Sequence, residues 1–87
     1  MTPKQRTSQD QKSLKLLGSS IRKWRERKGL TQEQLAPLIE FTRSYITEIE
    51  TGKRNISYLN LIRIIKILEV DESDWKKLIS QVFKSEV

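Results

Sequence analysis

The 87 residues of this chain suffice for one small domain with a modest core, and are too few for a second domain or a deep substrate cleft. Neither cysteine nor histidine occurs, which excludes disulfide bonds, Cys/His zinc sites, thiol nucleophiles and the commonest general base. No stretch approaches the roughly 20 apolar residues of a membrane span, and no signal-peptide pattern is present. We therefore expect a cytoplasmic, non-enzymatic protein without a cofactor or a bound metal.

The net charge of +6 is distributed unevenly along the chain. Residues 1–28 contain nine Lys or Arg and two acidic residues, whereas residues 29–50 contain one Arg and four acidic residues. This asymmetry is typical of proteins that contact a polyanion through only some of their elements. A basic surface that merely keeps a protein in solution has a similar composition, so charge alone does not identify the partner.

Apolar periodicity and turn residues predict an all-α fold. Residues 1–8 have no apolar periodicity and are predicted to form a disordered N-terminal arm. Residues 9–87 are predicted to form a single domain. Its five expected helices span about 9–28, 32–39, 43–51, 58–68 and 72–84.

Capping residues divide the middle of the chain into two short helices. Thr31 begins a capping-box pattern before the second helix, and Thr42 is placed to cap the third. Gly29 and Gly52 are placed to end the first and the third helix. The segment 31–52 therefore has the layout of a helix-turn-helix.

The residues of this segment resemble the Cro/phage-repressor (XRE) helix-turn-helix family. The resemblance lies in GLTQEQLA at 29–36 and TRSYITEIETGKRN at 42–55, and it extends from about Leu17 to Val70. It implies a lambda-repressor-like five-helix domain whose partner is double-stranded DNA, without a small-molecule effector. The members most similar in outline are the short controller proteins of restriction-modification systems.

The first turns of the third helix contain the candidate base-reading residues. Arg43 can donate two parallel hydrogen bonds to guanine O6 and N7, the commonest specific contact in the major groove. The hydroxyl groups of Ser44 and Thr47 can contact base edges or a thymine methyl group, but hydroxyl groups on an exposed helix face are equally ordinary. Glu48 can accept a hydrogen bond from cytosine N4 or serve to reject other sequences. The predicted base-reading residues are Thr42, Arg43, Ser44, Thr47 and Glu48.

The resemblance also implies a set of contacts to the DNA backbone, which position a protein without specifying sequence. These residues are Gln32, Tyr45, Lys53, Arg54 and Asn55. In the same family an ion pair often connects the first helix to the end of the recognition helix. Arg25 and Glu50 occupy those two positions in this chain.

Two residues depart from the family pattern. Pro37 lies inside the predicted second helix, where it removes the hydrogen bond to the Glu33 carbonyl. Glu40 stands where the family most often has the turn glycine, so we expect a left-handed backbone there at a cost on the order of 1 kcal/mol. Both substitutions bear on the angle between the two helices.

The fourth and fifth helices predict an interface. The fourth is apolar nearly all round, and the fifth presents Trp75, Ile79 and Phe83 on one face. Because a chain this small does not readily cover both surfaces, we expect an isologous two-fold dimer there, as two DNA half-sites require. The alternative is that the fifth helix packs on the fourth and completes the core.

The sequence thus predicts a sequence-specific transcriptional regulator that binds an inverted-repeat operator as a homodimer. The alternative is an antitoxin-like interaction module whose apolar C-terminal face covers a partner protein, with secondary DNA binding. Catalysis by Glu48 and Glu50 is disfavoured, because residues two apart on a helix point to different faces.

Overall fold

A computed structural model describes the backbone of residues 8–85 and the side chains of residues 10–84. These residues form five helices: α1 Ser8–Arg27, α2 Gln32–Leu38, α3 Arg43–Glu50, α4 Tyr58–Ile67 and α5 Glu72–Ser85. The all-α fold class is confirmed, and each helix end lies within one residue of the end expected from the sequence. The predicted arm lies outside the described residues except for Ser8, which begins α1. No helix in the described range is long and apolar enough to cross a membrane.

The three middle helices begin at hydroxyl caps. Thr31 forms a complete capping box with Gln34: its Oγ1 accepts from the Gln34 N–H at 3.1 Å, and its own N–H donates to Gln34 Oε1 at 2.9 Å. Thr42 and Ser57 accept in the same way from the N–H of the residue three positions later. Each cap satisfies a backbone donor that the helix leaves without a partner.

Four helices are followed, two positions after their last residue, by a residue with a left-handed backbone, and in two cases this residue is a glutamate. Glu40 has φ of 56° and Glu69 has φ of 51°, which confirms the left-handed backbone expected at Glu40. The turn after Glu40 is closed by the Phe41 N–H, which donates to the Ala36 carbonyl at 2.9 Å. Pro37 lies in the last turn of α2, and the helix ends one residue later.

The core lies where α1 meets α3 on one side and α5 on another. Burying one large aliphatic side chain in this core contributes about 1.5–3 kcal/mol to the free energy of folding. Its apolar members are Ile21, Trp24, Leu35, Ala36, Ile39, Ile46, Ile49, Ile56, Ile64, Leu68, Val70 and Leu78.

Gly18 allows the C-terminal end of α3 to lie directly against α1. A Cβ atom at this position would lie 2.3 Å from the carbonyl oxygen of Ile49 and 2.7 Å from that of Glu50. No real side chain tolerates such distances to backbone atoms, so any larger residue would push the two helices apart. Nothing in the sequence pattern predicted this contact, since it joins residues more than 30 positions apart.

α5 packs mainly along α1 and adds Leu78 to the core, so the alternative that α5 completes the core is met in part. Tyr58, Leu59 and Phe83 are each at least 70% exposed, and Ile79 is 50% exposed. We call these four residues the α4–α5 apolar face. Of the three residues predicted for the dimer interface, Ile79 and Phe83 belong to this face, whereas Trp75 is half-buried and packs against the core.

Candidate nucleic-acid interface

The third helix presents a polar surface on the side away from the core. Its inward positions are Ile46, Ile49 and Glu50, all buried. The opposite side carries the residues predicted to read bases, and all of them are exposed except Glu48, which is half-buried. Four of them line one shallow hollow at the protein surface: Arg43, Ser44, Thr47 and Glu48.

Thr42, the fifth predicted base reader, is the N-cap of α3. Its Oγ1 accepts from the Tyr45 N–H at 3.1 Å. The hydroxyl hydrogen is not used by this bond, because the oxygen acts only as an acceptor. Thr42 therefore has a structural role whatever it contacts outside the protein.

A buried ion pair fixes the end of α3 to α1. Arg25 donates from Nε to Glu50 Oε2 at 2.7 Å and from Nη2 to Glu50 Oε1 at 2.9 Å, and both side chains are at most 10% exposed. Arg25 Nη1 also donates to the carbonyl of Leu30 at 2.7 Å, in the turn before α2. The hydrogen bonds to Glu50 raise the pKa of Arg25 above its ordinary value, against the opposing effect of burial.

Gln32 extends this network to α2. Its Nε2 donates to Glu50 Oε1 at 3.0 Å, and its Oε1 accepts from the Thr47 hydroxyl at 2.8 Å. The bond to Glu50 sets the orientation of the amide, because an ionised carboxylate only accepts hydrogen bonds. The Thr47 hydroxyl also lies 3.1 Å from the Arg43 carbonyl. Thr47, predicted as a base reader, and Gln32, predicted as a backbone contact, are thus already hydrogen-bonded to each other.

A second cluster connects α3 to the following loop. Arg54 donates from Nε to Glu48 Oε2 at 2.8 Å, and its Nη2 lies 2.7 Å from the same oxygen. The guanidinium carbon of Arg54 is 5.5 Å from the centre of the Tyr45 ring, within cation–π range. The Tyr45 hydroxyl in turn accepts from Asn60 Nδ2 at 3.0 Å. Tyr45, Glu48 and Arg54 are therefore held together.

Arg43 also has an acidic neighbour. Its Nε lies 3.0 Å from Oε1 of Glu33, in the first turn of α2, and both side chains are more than half exposed. The bond that the Glu33 carboxylate accepts from its own backbone N–H lowers the pKa of Glu33, with a smaller contribution from the charge of Arg43. Glu33 is therefore ionised at neutral pH.

Sequence reasoning missed three residues beside this surface. Glu33 pairs with Arg43, and its only signal was an acidic residue in the first turn of α2. Asn60 holds Tyr45, and its signal was an amide in a helix otherwise rich in apolar residues. Lys15 packs against Gly52, just before the 53–55 loop. A Cβ atom added at Gly52 would lie 2.8 Å from Lys15 Cγ.

The comparison with protein families decides the classification. The model of the helix-turn-helix family matches residues 21–75, well over half of the chain. The chain belongs to this family. The match begins in the second half of α1 and ends in α5, so it contains both helices of the motif and the residues of the buried ion pair.

Similar proteins include controllers of restriction-modification systems. Control protein C.MunI of Mycoplasma sp. is 44% identical over 48 residues, covering 54% of this chain and 65% of that protein. Control protein C.BamHI of Bacillus amyloliquefaciens is 38% identical over 60 residues, covering 68% of this chain and 74% of that protein. The restriction-modification controller protein C.Esp1396I, solved as a tetramer with its natural 35 base-pair operator, has 36% identity and a TM-score of 0.69, covering 82% of this chain and 95% of that chain.

The buried pair generates a stability prediction. Glu50→Ala should lower the free energy of unfolding by about 3–5 kcal/mol, because it leaves the buried charge of Arg25 without a partner. Glu26→Ala is the matched control, since it breaks the Arg22–Glu26 pair, in which both side chains are more than half exposed, and should cost less than about 1 kcal/mol. Urea unfolding measures both values. Equal losses for the two variants would contradict the role assigned to the buried pair.

Proposed function

We propose that this chain is a sequence-specific double-stranded DNA-binding regulator of transcription, of the restriction-modification controller type. It binds an inverted-repeat operator as a homodimer and has no catalytic activity. It acts in the cytoplasm, where its DNA partner is located. Glu50 is buried against Arg25 and Glu48 is paired with Arg54, so neither carboxylate is arranged as a catalytic group.

One observation carries the proposal: the polar face of α3 is exposed while the opposite face and the C-terminal end of α3 are fixed by the core and by Glu50. A helix held in this way can enter a major groove as a rigid body, with its N-terminal residues toward base edges. Arg43 and Ser44 lie in that first turn and are exposed. We assign base reading to them and to Glu48 beside them.

The residues around this face supply the backbone contacts. Lys53, Arg54 and Asn55 are exposed in the loop that follows α3, and Lys15 packs beside the start of that loop. Cations in such positions contact phosphates and determine register without specifying sequence. Gln32 and Thr47 are assigned mainly a structural role, because their mutual hydrogen bond holds α2 against α3. Gln32 uses one amide hydrogen for Glu50, and the other is left to donate to a phosphate.

The α4–α5 apolar face supports the homodimer. Ile79 lines a hollow with Leu61 of α4 and Asn55 of the preceding loop, so α5 and the start of α4 border the same surface. Tyr58 and Leu59 lie in the first turn of α4 and are exposed. An apolar surface of this kind, on a chain that needs two copies to read two half-sites, fits a second copy related by a two-fold axis.

Selection of binding sites from random duplex DNA tests the proposed function. Wild-type protein should enrich an inverted repeat whose half-site centres are about 34 Å apart or a multiple of this distance. Arg43→Ala should relax the preference for one guanine in each half-site, at a cost of about 1–3 kcal/mol in discrimination.

Lys77→Ala is the control for charge, since Lys77 lies with Lys23 and Arg27 in a groove on the side of α1 opposite Gly18. It should leave the selected sequence unchanged. If wild-type protein enriches no sequence and its binding only weakens with salt, the regulator is ruled out. The apolar face would then point to the antitoxin-like alternative with a protein partner.

The dimer interface has a test of its own. Phe83→Ser should raise the dimer dissociation constant about 10- to 100-fold, as expected when an aromatic side chain is removed from an interface core. Sedimentation equilibrium measures the constant, and Leu38→Ser is the control because Leu38 is 53% exposed on α2 and lines a hollow with Arg63 and Ile67, in the second half of α4. Equal effects of the two substitutions, or a monomeric wild type at micromolar concentration, would contradict the proposed interface.

A further inference from the structure

The ion pair between Glu33 and Arg43 does not contribute much to stability. The Arg43 side chain is 65% exposed and that of Glu33 is 58% exposed, and exposed pairs of this kind have little net effect on folding. The pair nevertheless joins the first turn of α2 to the first residue of α3, where the base reader lies. Its position at this point suggests a role in binding.

The contact of the pair is at Nε of Arg43. A guanidinium carries five N–H donors, one on Nε and two on each Nη. Glu33 Oε1 contacts Nε, whereas parallel donation to guanine O6 and N7 is possible from the edge formed by Nη1 and Nη2. A carboxylate at Nε therefore restrains the side chain without competing for that edge.

The backbone at Glu33 is held in place by its two neighbours. It lies between Gln32, which is bonded to Glu50 and Thr47, and Gln34, which completes the capping box with Thr31. The backbone that carries Glu33 is therefore fixed relative to α3. A restraint from a fixed group reduces the freedom that a long, flexible side chain loses when it binds.

We infer that Glu33 is a positioning residue for Arg43, which it holds at Nε so that both Nη atoms point to a guanine. This inference rests on the proposed function, because it needs Arg43 to read a base. It has an unusual consequence: loss of a negative charge near DNA should weaken discrimination. If the carboxylate only repelled phosphates or competed with DNA for Arg43, its removal would instead strengthen binding.

The test is a double-mutant cycle on Glu33 and Arg43. Dissociation constants are measured for wild type, Glu33→Gln, Arg43→Ala and the double variant, on the selected site and on a site with the Arg43 guanine replaced. Glu33→Gln should reduce the ratio of the two constants about threefold to tenfold, within the range of coupling between contacting residues. In the Arg43→Ala background the same substitution should leave the ratio unchanged.

Glu26→Gln is the matched control, because it removes the same charge from an exposed pair on α1, and its ratio should equal that of wild type. The urea midpoint of Glu33→Gln verifies that the variant is folded. The inference is overturned if Glu33→Gln tightens binding to both sites equally and keeps the ratio. If wild type enriches no sequence, the proposed function fails; if it enriches a sequence and shows the guanine preference but Glu33→Gln keeps the ratio, only the inference fails, so the two failures are distinguishable.

Discussion

The bidentate hydrogen bonds between Arg25 and Glu50 are the constraint on which the rest of the structure depends. They connect α1 to the last residue of α3, and Arg25 also reaches the Leu30 carbonyl while Glu50 accepts from Gln32. One buried ion pair thus connects α1, the turn before α2, and both helices of the motif. Since each of the two charges is costly to bury alone, the arrangement is stable only when all these elements are in place together. This gives α3 a single orientation.

The ion pairs described above are of two kinds: one stabilises the fold, and the others lie at the proposed DNA-binding surface. Arg25–Glu50 is buried, whereas Glu33–Arg43 and Glu48–Arg54 lie at the surface and are largely open to water. Surface pairs rearrange at little cost, because water and salt already screen them. The guanidinium groups that we assign to DNA are therefore oriented by carboxylates of the same chain but remain available to a polyanion.

The helices could be predicted from the sequence because their signals are local. Thr31 and Thr42 cap helices within three residues of themselves, whereas the left-handed turn at Glu40 was expected through the family resemblance, which places a glycine there. The contacts that build the site join distant residues: Gly18 meets the Ile49 carbonyl, and Glu33 meets Arg43, without any periodic pattern. The Arg25–Glu50 pair was expected only through the family resemblance. The roles of the surface residues toward DNA stay predictions.

Methylation interference on the selected operator tests most directly the central claim that a rigidly held α3 reads guanine in the major groove. A methyl group on guanine N7 blocks the atom that an arginine contacts and leaves base pairing intact. Methylation of one guanine in each half-site should prevent binding of the wild-type dimer, at positions related by the two-fold axis of the operator. If methylation of no guanine interferes with binding, α3 does not read guanine in the major groove and the account is contradicted.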